Sequence, residues 1–110
     1  MSEHDEQVAV VEYCGLRGLP VYAIPNDGKR SPRAAAWMKA QGLSPGVPDL
    51  CIPVSRGDYH SLYIEMKAPG GKPTEEQVRW IWRLREEGMA AFVCVGAANA
   101  IACIDWYMSL

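Results

Sequence analysis

Three residues in the middle of the chain have the types and spacing to do chemistry: Asp49, Glu65 and Lys67. Asp49 opens the apolar run "DLCIPV", and Glu65 and Lys67 close the run "YHSLYIEMK". In a strand, residues i and i+2 point to the same face. Glu65 and Lys67 therefore project together, and Met66 turns away into apolar packing. Only the turn "SRGD" separates the two runs, so they pair as neighbours and Asp49 comes close to Glu65. Two carboxylates at one spot repel, and one tends to keep its proton unless a cation joins them. A hard divalent ion such as Mg²⁺ accepts such oxygen ligands and keeps positions for water and phosphate. A lysine ammonium beside it can hold or activate an attacking water and offset charge on a phosphate. The plainer reading of Glu65 and Lys67 is a cross-strand ion pair at a sheet edge.

These side chains need a scaffold, and the hydrophobic pattern supplies one. Residues 3–17 carry a rough helical stripe that ends at Gly18 and Pro20. "VYAIP" (21–25) reads as a strand and "NDGKRS" (26–31) as turn chemistry. Ser31 followed by Pro32 is an N-cap and a first-turn proline, which predicts a helix to about Gln41. The run 49–54 is a strand that Pro53 places near an edge or ends early, and 59–67 is a second strand. Thr74 caps a helix running to about Glu87, with Gly88 at its end. "MAAFVCV" (89–95) is a buried strand, and 97–109 form a last helix. The order α-β-α-β-β-α-β-α predicts an α/β fold, a mixed sheet with helices on both faces.

Composition sets the outer limits. At 110 residues and 49% hydrophobic, the sequence fits one compact domain, residues 1–110, with a real core. It has no apolar run near the roughly 20 residues that span a bilayer, and its acidic start "MSEHDEQ" is no signal peptide. The four cysteines are widely spaced in apolar runs and read as reduced core residues of a cytosolic protein. A net charge of −2 argues against a generic basic nucleic-acid binder, yet the charge is uneven. Residues 1–12 carry Glu3, Asp5, Glu6 and Glu12 without a Lys or Arg, whereas 29–39 carry Lys29, Arg30, Arg33 and Lys39 without an acid. A basic face beside an acidic pocket and an ordinary solvated surface both fit this pattern.

The motifs "GVPD" (46–49), "IEMK" (64–67) and "GGKPTEEQ" (70–77), with an acid in the first helix, resemble the PD-(D/E)xK nuclease superfamily. More closely they resemble its VRR-NUC domain, and the resemblance covers nearly the whole chain. It implies a restriction-endonuclease-like fold and Mg²⁺- or Mn²⁺-dependent hydrolysis of DNA. It further implies that Asp49 and Glu65 bind the metal with the backbone carbonyl of Met66, and that Lys67 is the catalytic lysine. Glu6 best matches the acid of the first helix, with Glu12 as its competitor. Gln77 matches a glutamine of the family, although Thr74-x-x-Gln77 is also a capping box. Lys29, Arg30, Arg33, Lys39 and Lys72 are the candidate phosphate contacts. Tyr59, Tyr63 and the four tryptophans read as packing rather than base-stacking groups, and His4 and His60 carry no assignment.

The implied function is a structure-specific endonuclease acting on branched DNA such as Holliday junctions, in the cytoplasm of a bacterium or of a phage's host. A helicase could deliver the DNA, but no residue reports on it. The alternative is a non-catalytic DNA-binding or assembly module on the same fold. Cutting both strands of a junction favours a symmetric homodimer. Val78 and Trp82 form a candidate interface if they face solvent; the alternative is that they pack under the last helix.

Overall fold

The computed structural model describes residues 1–25 and 31–110. Lys29, Arg30 and most of the expected "NDGKRS" turn lie outside the described residues. The elements run α1 (Glu3–Leu16), β1 (Tyr22–Ala23), α2 (Pro32–Ala40), β2 (Leu50–Ile52), β3 (Leu62–Lys67), α3 (Glu75–Glu86), β4 (Ala90–Val95) and α4 (Ala97–Met108). This is the order read from the sequence. The sheet order is β1-β2-β3-β4, antiparallel except for the parallel pair β3–β4. A parallel pair needs a crossover, and α3 provides it.

Alternation along β3 divides the molecule into two layers. Leu62, Ile64 and Met66 point to one face and are fully buried against Val10 and Cys14 of α1 and Ala100, Ile104 and Tyr107 of α4. Glu65 and Lys67 point to the other face, where α3 buries Gln77 and Ile81. Burying apolar area of this kind contributes about 25 cal/mol per Å² and holds the helices to the sheet. All four cysteines are free; Cys14, Cys51 and Cys94 are buried and Cys103 is half-buried.

The strands are shorter than the pattern predicts. β2 stops at Ile52 because Pro53 has no N–H to give, and the Val54 N–H turns back to the Ile52 carbonyl at 2.8 Å. β3 begins only at Leu62, since Tyr59 is used in a turn with Arg56 and the His60 N–H goes to the Gly88 carbonyl. Asp49 consequently precedes its strand by one residue. Val78 and Trp82 face solvent, at 38% and 57% exposure, rather than packing under α4. Trp37 is 65% exposed and Trp106 42%, so the reading of all the tryptophans as packing groups does not hold. Among the described residues no helix is long and apolar enough to cross a membrane.

Candidate active site

The "GVPD" turn is shaped by contact with α3. Gly46 has φ +93°, and a Cβ there would lie 2.7 Å from the Glu76 backbone. Only glycine allows that approach, which seats the turn on the first turn of α3. Pro48 is fully buried behind it. Asp49 is then fixed from two sides. Its carbonyl accepts the Ile24 N–H at 2.8 Å, and its Oδ2 accepts the Met66 N–H at 2.7 Å. The last ladder pair of β2 and β3 is Leu50 with Ile64. Asp49 therefore stands where the next ladder residue would be, and its side chain takes up a β3 amide that β2 leaves behind.

Glu65 is the centre of the cluster and is 1% exposed. Its Oε2 lies 3.3 Å from the Lys67 Nζ and accepts a hydrogen bond from the Gln77 amide nitrogen at 3.2 Å. Its Oε1 is buried and receives no N–H or O–H from the described residues. Burial pushes the Glu65 carboxyl up to about 8, the neighbouring Asp49 carboxylate adds to the push, and the Lys67 ammonium opposes it. A buried oxygen without a partner costs free energy, and a cation beside it removes that cost.

Gln77 serves two partners with the two ends of one amide. Its Oε1 accepts the Thr74 N–H at 2.8 Å, while the Thr74 hydroxyl accepts the Gln77 N–H, which closes the capping box. Its nitrogen remains for Glu65. The capping role and the contact with the acidic cluster therefore coexist.

The first-helix acid is the main revision. Glu3, Asp49 and Glu65 each offer a carboxylate oxygen, and these oxygens lie within 4.8 Å of one another. Glu3 Oε2 also lies 4.0 Å from the Lys67 Nζ. Glu6, expected in this place, instead accepts the Ala97 N–H at the start of α4. The N-cap of α4 is Gly96, which has no side chain to offer, so Glu6 supplies the missing acceptor from another helix. Glu12 is exposed beside His4, Gln7 and Val8, away from the cluster. A signal for Glu3 was present in the sequence. Ser2 and Asp5 form a capping box that starts α1 at Glu3, and Glu3 shares a helical stripe with the buried Val10 and Cys14.

The structure thus brings Asp49, Glu65, Lys67 and Gln77 together and adds Glu3. Arg33 and Lys39 are exposed on α2, and Lys72 is exposed in the loop after β3. The donor set tests well against a hard divalent cation: three carboxylates converge, all donors are oxygen, and one buried oxygen lacks a partner.

Comparison with known proteins bears on the fold and the family. The family model of the VRR-NUC domain matches residues 4–98. A solved VRR_NUC domain protein superposes with a TM-score of 0.84 at 31% identity, covering 100% of this chain and 90% of its own. A second solved VRR_NUC domain has the same fold, with a TM-score of 0.65 at 23% identity over 97% of this chain and 99% of its own. No curated protein matches. With its four helices, four-stranded mixed sheet and a family match over most of its length, the chain belongs to the VRR-NUC family of nuclease domains.

Proposed function

We propose that the chain is a divalent-metal-dependent endodeoxyribonuclease that hydrolyses phosphodiester bonds in branched DNA, Holliday junctions among them. The observation that carries the reading is the Glu65 carboxylate. It is buried among two further acids, has one oxygen without a partner, and has Lys67 on the other. Glu3, Asp49 and Glu65 would hold a Mg²⁺ or Mn²⁺ ion. The Met66 carbonyl would assist, since in a ladder it points to the same edge as the Met66 N–H that Asp49 receives. When bound, such an ion polarises the phosphate and lowers the pKa of water.

The chain's own groups do the rest. Lys67 gives a hydrogen bond to the attacking water and offsets negative charge gathering on the phosphate. Gln77 holds Glu65 in place while its own orientation is fixed by Thr74. Arg33, Lys39 and Lys72, with Lys29 and Arg30, supply phosphate contacts. A two-fold dimer through the exposed Val78 and Trp82 would present two such sites to the strands of a junction.

The test is cleavage of four-way junction, flap and linear duplex DNA with Mg²⁺, with Mn²⁺ and with chelator, alongside light scattering of the protein. Metal-dependent cutting that favours the branched substrates, by a dimer, is expected. Binding without cutting under any metal would replace the reading with a non-catalytic module. A monomer that cuts both junction strands would remove the dimer alone.

A further inference from the structure

The connection between β1 and β2 is rooted at the acidic cluster. The chain leaves the sheet at Ala23, which pairs with Leu50, and the next residue, Ile24, gives its N–H to the Asp49 carbonyl. The chain re-enters at Asp49 itself. Between these two points lies α2, in which no residue is buried. Its composition is unusual for an uncovered helix. It holds Arg33 and Lys39 and no acid, and it presents Trp37 at 65% exposure. Arg33 and Trp37 are four apart, hence neighbours on one helix face. The half-buried Ala34 and Met38 lie to the side of that face.

A tryptophan left in water with the Arg33 cation one turn away on the same face needs an occupant that is both flat and apolar on its face and negatively charged at its rim. A nucleic-acid base on its phosphate backbone has that chemistry, and aromatic–base stacking does not depend on sequence. We infer that Trp37 stacks on an unpaired base of the DNA and so makes α2 the element that distinguishes interrupted from continuous duplex. A base can reach Trp37 only where it is free of its own stack, at a gap, a flap or an opened branch point, and the segment that carries α2 leaves and rejoins the sheet at Ala23 and Asp49, next to the acidic cluster. Arg33, on the same face, holds a flanking phosphate. The inference rests on the nuclease reading above and names the residue that gives it substrate preference.

The experiment compares wild type, Trp37→Ala and Trp37→Phe by fluorescence anisotropy. The probes are a labelled duplex with a short single-stranded gap and the intact duplex of the same sequence, both in Ca²⁺. Trp37→Ala should weaken binding to gapped DNA about tenfold, within the range for one stacked base. Binding to intact duplex should stay within about twofold, because phosphate contacts supply it. Trp37→Phe should recover most of the loss, since a smaller ring still stacks. Loss of affinity for both DNAs alike, or for neither, overturns the inference. So does a fall in the mass of Trp37→Ala by light scattering, which would place Trp37 between two copies of the chain. Mn²⁺-dependent cleavage separates the two levels. Wild type that cuts DNA while Trp37→Ala is indistinguishable from it overturns this inference alone, and wild type that neither binds nor cuts DNA overturns the nuclease reading with it.

Discussion

Helices α2 and α3 begin alike and end up with opposite fates. Each starts at a side-chain cap, Ser31 for α2 and Thr74 for α3, whose hydroxyl accepts an N–H three residues on. Helix α3 then buries Gln77 and Ile81, receives Gly46 against its first turn, and reaches Glu65. Helix α2 has no fully buried residue, only Ala34 and Met38 being half-buried. Capping and propensity can start a helix, but a nine-residue helix draws most of its stability from packing. On the proposed reading the two tasks of a nuclease are built with different rigidity. Asp49, Glu65, Lys67 and Gln77 are each held at two points. Helix α2, the element proposed to meet DNA, has no fully buried residue, as is common in regions that must rearrange around a ligand.

Breaking the rigid half should have the largest effect. Asp49→Asn and Glu65→Gln should each reduce cleavage by a factor on the order of 10³ or more while DNA binding persists, because carboxylates position the reacting phosphate and cations elsewhere supply affinity. Lys67→Ala should lose about 10²–10³ in turnover, as removal of one charge-stabilising donor does, and should still bind Mn²⁺ in calorimetry. Near-normal cleavage by Asp49→Asn in Mg²⁺, or loss of Mn²⁺ binding in Lys67→Ala, would contradict these roles.

A milder probe of the same half is pH. The folded, metal-free protein holds a proton on Glu65 up to about 8, whereas the unfolded chain releases it in the ordinary carboxylate range. Folded protein therefore binds more protons between those values, and stability without metal falls as pH rises through that window. A cation that needs the ionised carboxylate expels the proton, so the rise in Tm on adding Mn²⁺ should grow from pH 5 to pH 8. In Glu65→Gln the metal-free slope should flatten across this range. Thermal unfolding followed by circular dichroism would measure both, and an unchanged slope in Glu65→Gln would assign the pH dependence elsewhere.

The smallest effect belongs to the open half. Replacing Arg33 and Lys39 with alanine should leave Tm nearly unchanged, since both side chains are exposed. It should lower the slope of log affinity against log salt by about one for each phosphate no longer neutralised. An unchanged slope would return the two cations to ordinary surface.

Legibility in the sequence followed the same division. The element order, the shared face of Glu65 and Lys67, and the approach of Asp49 to Glu65 all depend on short-range periodicity and on one short turn, and the sequence states these directly. The choice of Glu3 over Glu6 depends on how α1 crosses the sheet and on a bare glycine at the start of a helix whose first residue lies 91 positions from Glu6 in the chain. The capping box and the stripe of Glu3, Val10 and Cys14 point to Glu3, but no local pattern shows that Glu6 is engaged by Ala97. The strand ends differ from the pattern because β-forming residues such as Tyr59 are taken up by a turn, and ladder partners rather than propensity decide where a strand stops. The sequence pattern reads Trp37 as core because an aromatic residue is core by default, and only its 65% exposure marks it as surface.

The Glu6 carboxylate has a consequence for the order in which activity can arise. It ties the first turn of α1 to the first turn of α4, so the turn that carries Glu3 is anchored by residues near the far end of the chain. A chain emerging from the ribosome displays Asp49, Glu65 and Lys67 well before Ala97 exists to receive Glu6. Contacts of such sequence separation form late and carry the cost of closing a long loop. The turn that carries Glu3 therefore gains its anchor on α4 only when these two helices meet, after the packing of Val10 and Cys14 on β3 has become possible.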